Sequence, residues 1–288
     1  MVKTIDLHDL VRFYLPHFVT AGDYLRRIQS QVVSLPKAGD TGAVRALTTA
    51  DLSVQNLFEV VTLSRYPQVV FHSEEESQSL NALYFPRRGA YRFILDPLDG
   101  TRPFRDGLAH YCIVLTVMCR RTVVAVMLYL PATGRFFIAV ERDPTMTTTR
   151  GTLAGETQLA QFGGDSDILH VDPLPAGMLG ALDDRFTVKE IERDYNPREW
   201  PWPKHGILTG EVRGLIKFEA ALEDWGAIAF LAERMGGIVT DIGGKKIPNY
   251  LNYPGYKIPS LVVARDREFH ERIIAVTRQF VRKEDNDV

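Results

Sequence analysis

The stretch Leu95–Thr101, which reads Leu-Asp-Pro-Leu-Asp-Gly-Thr, follows a mostly apolar run and precedes a loop that contains proline and glycine. The pattern predicts a strand that delivers Asp96 and Asp99 into a tight turn, where Gly100 lets the backbone pass close to a bound group. These carboxylates, with the Leu98 carbonyl between them, are oxygen donors of the kind that Mg²⁺ prefers. Asp-Pro and Asp-Gly are also common turn dipeptides, so a solvated turn is the alternative.

The run Asp96–Thr101 resembles the signature of the inositol monophosphatase family. Members are Mg²⁺-dependent, lithium-sensitive phosphomonoesterases, and they include bisphosphate nucleotidases and fructose bisphosphatases. The match ends at Thr101, because the family usually continues with a small or polar residue and an Asn or Glu before Phe, where this chain has Arg102-Pro103-Phe104. The resemblance implies an α/β (α+β) fold with layers in the order α-β-α-β-α, two or three Mg²⁺ ions per site, and a homodimer.

Two further acidic motifs precede this run in the order that the family has. Thr48-Thr49-Ala50-Asp51 is similar to the family's Thr-x-x-Asp. An acid in the first turn of a helix is also stabilised by the helix dipole, which is the alternative for Asp51. The run Ser73–Ser77 ends a short predicted strand, and the resemblance implies that Glu74 is a metal ligand, with Glu75 as the fallback. Composition alone indicates a solvated acidic run there.

A last acidic motif lies in Leu222–Gly237, where apolar spacing predicts a helix from about Asp224 to a Gly-Gly stop. It is similar to the family's Trp-Asp-x-Ala-Ala, with Glu223 in place of the tryptophan and Gly226 in place of an alanine. Asp224 keeps the acid, and a helix N-cap is the alternative role. Upstream, relatives that hydrolyse inositol phosphates carry an acid where this chain has Lys217, which either fits a second phosphate or is solvated.

The resemblance implies metal-assisted hydrolysis of a small sugar, inositol or nucleotide phosphate monoester by an activated water. The implied metal ligands are Glu74, Asp96, the carbonyl of Leu98, Asp99 and Asp224. The implied catalytic residues are Asp51, Thr101 and Glu74. Thr101, hydrogen-bonded to Asp51, orients the attacking water and helps to deprotonate it. The implied substrate contacts are Asp99, Gly100, Thr101 and Lys217.

Composition bounds the class of protein. A hydrophobic content of 45% and a charged content of 24% over 288 residues are typical of a soluble globular protein. The net charge of −2 argues against a general nucleic-acid or membrane-surface binder. The resemblance implies a small-molecule phosphate ester as the partner. No apolar run is long enough to cross a bilayer, and the start at Met1 lacks a secretory signal, so we expect a cytoplasmic protein. Cys112 and Cys119 are expected to be reduced.

Apolar spacing predicts the remaining elements. The first of two N-terminal helices is expected to end at Pro16 and the second to run from Ala21 to Val33, and a Gly-containing link, Ser34–Gly42, follows them. Three apolar strands after the Asp-Gly-Thr turn have links short enough to require an antiparallel meander. Thr147–Thr149 is expected to be a loop. The run Asn196–Pro203 is expected to be a proline-rich loop packed over a neighbouring element, with a binding face formed by its two tryptophans as the alternative.

We expect an N-terminal α+β part, residues 1–142, to carry most metal ligands. A C-terminal α/β part, residues 143–288, is expected to supply the last metal aspartate and the substrate contacts. The Gly-Ser/Thr-Ala-Ala stretch that many relatives use on the sugar or cyclitol ring is absent, which leaves inositol or other sugar monophosphates, a nucleotide bisphosphate and fructose bisphosphate as possible substrates. The alternative function is a non-catalytic family member that binds a metabolite or a protein partner.

Overall fold

The computed structural model describes residues 4–31, 34–36, 46–149, 157–247 and 253–284. The chain forms two compact units, Met1–Leu159 and Ala160–Val288, called here the N-terminal and the C-terminal unit. Each unit contains a β-sheet with helices, so the predicted layered α/β class is confirmed. The assignment of functional groups to residues 1–142 and 143–288 stays a prediction.

The N-terminal unit is built on a seven-stranded sheet in the order β3-β4-β5-β6-β7-β8-β9. Strands β3 and β4 pair in parallel, and the following neighbours pair antiparallel, so the predicted meander is confirmed as β5-β6-β7. In chain order the elements are α1 (Leu7–Ile28), β1 (Ser34–Pro36), β2 (Ala46–Thr48), α2 (Thr49–Arg65), β3 (Val70–Ser73), β4 (Tyr91–Asp99), α3 (Thr101–Arg105), β5 (Cys112–Cys119), β6 (Thr122–Leu130), β7 (Arg135–Val140), β8 (Met146–Thr149) and β9 (Gln158–Leu159).

Helix α1 is one helix where the sequence predicted two. It continues through Pro16, although a proline inside a helix costs about 3 kcal/mol. Its buried stripe includes Tyr14 before the proline and Phe18 after it, both fully buried. Burying one such side chain contributes about 1.5–3 kcal/mol, so a stripe that continues past the proline offsets its cost. The predicted break was therefore wrong because tertiary burial outweighs local propensity.

Helices α1 and α2 cover one face of the N-terminal sheet. The Phe58 ring of α2 stacks on Tyr14 of α1 with ring centroids 5.9 Å apart, and it meets Phe18 edge-on at 4.9 Å. Odd-numbered residues of β4 and β5, such as Phe93 and Leu115, belong to the same buried core. The even-numbered residues of these strands therefore point to the face opposite the two helices.

Two predictions between the strands have different outcomes. Thr147–Thr149 belongs to strand β8, so the predicted loop was wrong. The β-branched threonines suit a strand, and the Thr147 hydroxyl donates to the Phe136 carbonyl of β7 at 2.8 Å. Of the predicted link Ser34–Gly42, only Ser34–Pro36 is described, and it forms β1, which pairs antiparallel with β2. Residues 37–42 of that link lie outside the described residues.

The C-terminal unit is built on a five-stranded sheet in the order β11-β10-β12-β14-β13. Strand β10 pairs in parallel with β11 and β12, whereas β14 pairs antiparallel with β12 and β13. Its elements are β10 (Ile168–Val171), α4 (Ala176–Asp183), β11 (Thr187–Glu190), α5 (Ile191–Asp194), α6 (Gly206–Thr209), β12 (Gly214–Ala221), a π-helical turn (Leu222–Gly226), α7 (Ala227–Arg234), β13 (Ile238–Thr240), β14 (Lys257–Ala264) and α8 (Arg267–Glu284).

Helices α4 and α8 pack on one face of the C-terminal sheet. Their core takes in Val171 of β10, Ile216 of β12 and Phe269 of α8. Because side chains alternate along a strand, the neighbours His170 and Lys217 point to the opposite face. That face carries the polar groups considered below.

Two further observations bear on the sequence expectations. Both cysteines are free thiols, as predicted, and Cys112 is buried. Among the described residues, every helix is too short or too polar to pass through a lipid bilayer.

Candidate functional site

A β-bulge in β4 places the two central aspartates on one face of the sheet. Asp96 lies opposite Val114 of β5, and Asp99 lies opposite Cys112. Three steps along β4 therefore match two steps along β5, which is the extra residue of a bulge. Val114 and Cys112 are two residues apart and share a face, so the bulge turns both aspartates to that face. In a regular strand, residues three apart point to opposite faces.

The bulge also sets the surroundings of these carboxylates. Pro97 has no N–H group to donate, and it lies in the bulge, where prolines are tolerated in sheets. The Leu98 N–H donates to Oδ1 of Asp96 at 3.1 Å, and the Cys112 thiol donates to Oδ2 of Asp99 at 3.2 Å. The two aspartates are only 4% and 7% exposed. Two buried carboxylates that share a face are a suitable donor set for a hard divalent cation.

Gly100 ends β4 in a conformation that other residues rarely adopt. Its φ is +86°, and a Cβ at this position lies 2.6 Å from the backbone carbonyl oxygen of His110. The sequence predicted that the Gly100 backbone passes close to a bound group. In the structure it passes close to the backbone of His110. Glycine is therefore required here by both conformation and space.

The next residue, Thr101, begins the short helix α3. Its hydroxyl donates to the Leu98 carbonyl at 3.0 Å, and a carbonyl oxygen has a second lone pair for another partner. Asp51 is 2% exposed in the first turn of α2. Because the Thr101 hydroxyl has one proton, its predicted hydrogen bond to Asp51 requires the hydroxyl to rotate away from Leu98. That bond stays a prediction.

The two candidate glutamates after β3 differ in burial. The Glu74 N–H donates to the Leu95 carbonyl at 3.3 Å and continues the parallel pairing, so the register places Glu74 beside Asp96. The Glu74 side chain is exposed. Glu75 is 5% exposed, and its carbonyl accepts a hydrogen bond from the Gln55 amide at 3.2 Å. Register favours Glu74 and burial favours Glu75, so the choice of ligand stays a prediction.

Asp224 lies in the π-helical turn that leads into α7. The predicted helix is present, but it begins with this turn, and Asp224 lies inside the turn rather than at an N-cap. The Lys204 ammonium donates to Oδ2 of Asp224 at 2.5 Å, and the Trp225 N–H donates to Oδ1. Burial raises the pKa of Glu223, and the Asp224 carboxylate raises it further. Single π-turns inside helices frequently mark functional sites.

Lys217 is held by a carboxylate of its own unit. Its ammonium forms an ion pair with Asp172, the residue that follows β10, and lies 5.9 Å from the centroid of the Trp225 ring. About a quarter of the Lys217 side chain is exposed. The solvated lysine that the sequence left open as an alternative is thus a paired, partly buried one.

Sequence reasoning missed Lys204 and Asp172. Trp200, which the sequence placed in a packed loop, is 2% exposed, and that prediction is confirmed. His170 Nδ1 lies 2.7 Å from the Trp202 carbonyl and anchors the same loop. The sequence feature that could have indicated Lys204 is the run Trp200–His205. In this run the lysine directly follows two Trp-Pro pairs, and the prolines restrict the backbone of the loop that carries it.

Comparison with known sequences gives a consistent result. The model of the inositol monophosphatase family matches residues 18–166. An inositol-1-monophosphatase of Rhizobium meliloti is 27% identical over 119 residues, 41% of this chain and 42% of that protein. A histidinol-phosphatase of Streptomyces coelicolor is 26% identical over 168 residues, 56% of this chain and 63% of that protein. The chain thus spans less than two thirds of these curated relatives.

The fold is similar to solved structures over nearly the whole chain. An IMPase of Thermotoga maritima superposes with a TM-score of 0.71 at 17% sequence identity, covering 96% of this chain and 99% of that one. At this level of identity the likeness concerns the fold alone.

Proposed function

Because the chain belongs to the inositol monophosphatase family, we propose that it is a Mg²⁺-dependent phosphatase that releases phosphate from a small phosphate monoester. Family membership supports a phosphatase function. The substrate, the metal and its ligands are the proposed part. The observation that carries the proposal is the bulge in β4, which turns the buried carboxylates of Asp96 and Asp99 to one face.

The donor chemistry at this bulge fits Mg²⁺, which takes oxygen ligands and is usually shared between carboxylates and substrate phosphates. Two buried carboxylates and the second lone pair of the Leu98 carbonyl supply such oxygens. The full proposed ligand set is Asp96, Leu98 through its carbonyl, Asp99, Asp224 and either Glu74 or Glu75. When bound, divalent ions lower the pKa of a water molecule and stabilise the leaving oxygen.

The other proposed roles fall to residues around the turn. The Thr101 hydroxyl donates a hydrogen bond to the Asp51 carboxylate, and its oxygen accepts one from the attacking water. As the water is deprotonated, its proton passes to the Thr101 oxygen while the Thr101 proton passes to Asp51. The backbone N–H groups of Gly100 and Thr101 donate hydrogen bonds to the phosphate oxygens, and Asp99 is a further substrate contact. For Lys217 to bind a second phosphate, its ammonium has to leave Asp172. The family resemblance also supports a homodimer, which sedimentation equilibrium would measure.

The proposed activity is tested with a panel of phosphate esters assayed for released phosphate, with Mg²⁺ and with a chelator. The panel contains inositol and other sugar monophosphates, histidinol phosphate, a nucleotide bisphosphate and fructose bisphosphate. We expect release from at least one ester, in the presence of Mg²⁺ only. Asp224→Asn should lower that rate by about tenfold or more, because it removes a metal ligand.

A matched variant controls for the loss of a carboxylate in the same unit. Asp167→Asn removes an exposed carboxylate that pairs with Arg213, and it should leave the rate unchanged. No release from any ester, by a folded protein saturated with Mg²⁺, would favour the non-catalytic alternative. Equal rates for Asp224→Asn and wild type would remove Asp224 from the ligand set.

A further inference from the structure

The Lys204 ammonium is held at the carboxylate that the proposed function assigns to a metal ion. Lys204 Nζ lies 2.5 Å from Oδ2 of Asp224, and both side chains are mostly buried, with 16% and 18% exposed. The other oxygen, Oδ1, accepts the N–H of Trp225. Both oxygens of this carboxylate therefore have donors from the C-terminal unit itself.

The fold fixes Lys204 at this position through the loop that carries it. Two residues before the lysine, the Trp202 carbonyl lies within hydrogen-bond distance of buried His170. One residue after it, His205 is 6% exposed and leads into α6. The ammonium also lies 5.3 Å from the centroid of the Trp225 ring, where a cation is attracted to the aromatic face. The loop is thus anchored before the lysine at Trp202 and after it at His205, and the ammonium group lies near the Trp225 ring.

We propose that Lys204 is a built-in competitor for the divalent cation at Asp224. The inference rests on the proposed function, in which Asp224 is a metal ligand. Oδ2 keeps a second lone pair, but the positive charge of an ammonium group 2.5 Å away repels a divalent cation at the same oxygen, so an ion binds there more weakly while Lys204 is in place. A divalent cation therefore binds at Asp224 more weakly than it would if Lys204 were absent. Lys204 lies outside the acidic motif that contains Asp224.

The neighbouring pair of Lys217 and Asp172 provides a matched comparison. Lys217 also forms an ion pair with a carboxylate and also lies near the Trp225 ring, at 5.9 Å. Asp172 is not among the proposed metal ligands. Removing the ammonium of Lys217 should therefore leave metal binding unchanged, whereas removing that of Lys204 should strengthen it.

The experiment is a titration with Mn²⁺ alone, in which free Mn²⁺ is measured by its electron paramagnetic resonance signal. Wild type is compared with Lys204→Met and Lys217→Met, which keep an unbranched apolar side chain and remove the charge. A hydrogen bond to a charged group is worth enough to change a dissociation constant by about tenfold or more. We expect Lys204→Met to bind its weakest Mn²⁺ ion about tenfold or more tightly than wild type, and Lys217→Met to match wild type.

Lys204→Gln serves as a second variant if Lys204→Met is poorly folded, as judged by circular dichroism and thermal unfolding. Titration curves of both Lys204 variants that coincide with wild type would overturn this proposal and leave the proposed function intact. Absence of Mn²⁺ binding to every variant and to wild type would overturn both. Equal tightening by Lys204→Met and Lys217→Met would also overturn it, because a general loss of positive charge would then be the cause.

Discussion

The carboxylates of Asp96 in the N-terminal unit and Asp224 in the C-terminal unit are held in different ways. Asp96 accepts a hydrogen bond from the backbone N–H of Leu98, two residues along the same strand. Asp224 accepts one from the ammonium of Lys204, which lies 20 residues earlier in the chain. The first carboxylate is positioned by a neutral donor and by the bulge around it. The second also accepts a neutral backbone N–H, from Trp225, but it is held in addition by a charged side chain from a separate loop.

This difference separates what is local in the chain from what depends on tertiary structure. The two aspartates, the proline between them and the glycine after them are consecutive or nearly consecutive residues, so this motif is visible in the sequence even though the bulge is not. The ion pair at Asp224 depends on a loop held by buried aromatic residues, and the spacing of residues in the sequence does not predict this pair. We therefore expect mutations at Asp96 and at Asp224 to have different effects.

The largest expected effect is on activity, from the bulge in the N-terminal unit. Asp96→Asn should lower the Mg²⁺-dependent rate of phosphate release by about a hundredfold or more, since metal ions supply several kcal/mol of transition-state stabilisation. Steady-state release of phosphate measures it, with circular dichroism as a check of folding. Asp143→Asn, an exposed carboxylate of the same unit, is the control and should keep the wild-type rate. If Asp96→Asn were as active as wild type, the carboxylates at the bulge would not be part of the active site.

The next effect is on stability, at the turn that follows the bulge. Gly100→Ala adds a Cβ 2.6 Å from the His110 carbonyl oxygen and also forces a side chain into a positive φ, so it should lower the free energy of unfolding by about 2 kcal/mol or more. Urea unfolding measures this change. Gly107 has a similar φ of +80°, but a Cβ there meets no atom within 4 Å. Gly107→Ala should therefore cost only about 1 kcal/mol, and equal costs would mean that the His110 contact adds nothing.

The features that could be predicted from the sequence are those built from consecutive residues, and the features that could not are those that depend on tertiary contacts. The meander and helix α7 were predicted because their patterns extend over many residues. The strand β4 was predicted to end before the aspartates, and it continues through them because a bulge allows Pro97 and two buried carboxylates within one strand. A bulge depends on the register of the neighbouring strand, which the sequence of β4 alone does not contain.

The remaining errors have similar causes. The break expected near Pro16 ignored a buried stripe that continues past the proline and offsets its cost. For Lys217, the residue type predicted two possible roles, and its actual partner, Asp172, is 45 residues away. Lys204 was missed for the same reason, since its partner, Asp224, is 20 residues away. Contacts of this kind follow from the packing of loops and cannot be derived from the spacing of residues.

A smaller effect is expected at the start of α8 in the C-terminal unit, where a carboxylate is again held by a cation. Asp266 accepts the Phe269 N–H at 2.9 Å and the Arg213 guanidinium at 2.8 Å. Asp266→Ala removes this cap and should lower the free energy of unfolding by about 1 kcal/mol, measured by urea unfolding. Asp266→Asn, which keeps a capping oxygen, should lose less. Equal losses would mean that the hydrogen bond to the helix is unimportant.

The same aspartate predicts a dependence on acid. The Arg213 hydrogen bond lowers the pKa of Asp266 in the folded protein. Its contribution to stability is therefore fully present above the unfolded pKa of about 4, and it is lost as the pH falls through the lower folded value. The difference in stability between wild type and Asp266→Ala should shrink below about pH 4. A difference that stays constant down to pH 2 would contradict this.

The smallest expected effect comes from His270 in α8. Burial lowers its pKa, and its Nε2 lies 2.8 Å from the Thr240 hydroxyl oxygen. A histidine with a lowered folded pKa favours folding when it is neutral, so its contribution is present above the unfolded pKa of about 6.5 and is lost as the pH falls through the folded value. Thermal unfolding from pH 7 to 5 should show wild type losing more stability than His270→Gln. Parallel curves would contradict this assignment.

We propose that the buried carboxylates at the β-bulge hold Mg²⁺ and that this chain is a Mg²⁺-dependent phosphatase. The most direct test is the rate of phosphate release from the best ester of the panel, measured as Mg²⁺ is removed by a chelator and then restored. We expect release to stop without the ion and to return to its original rate when Mg²⁺ is added back. An unchanged rate in the chelator would contradict it.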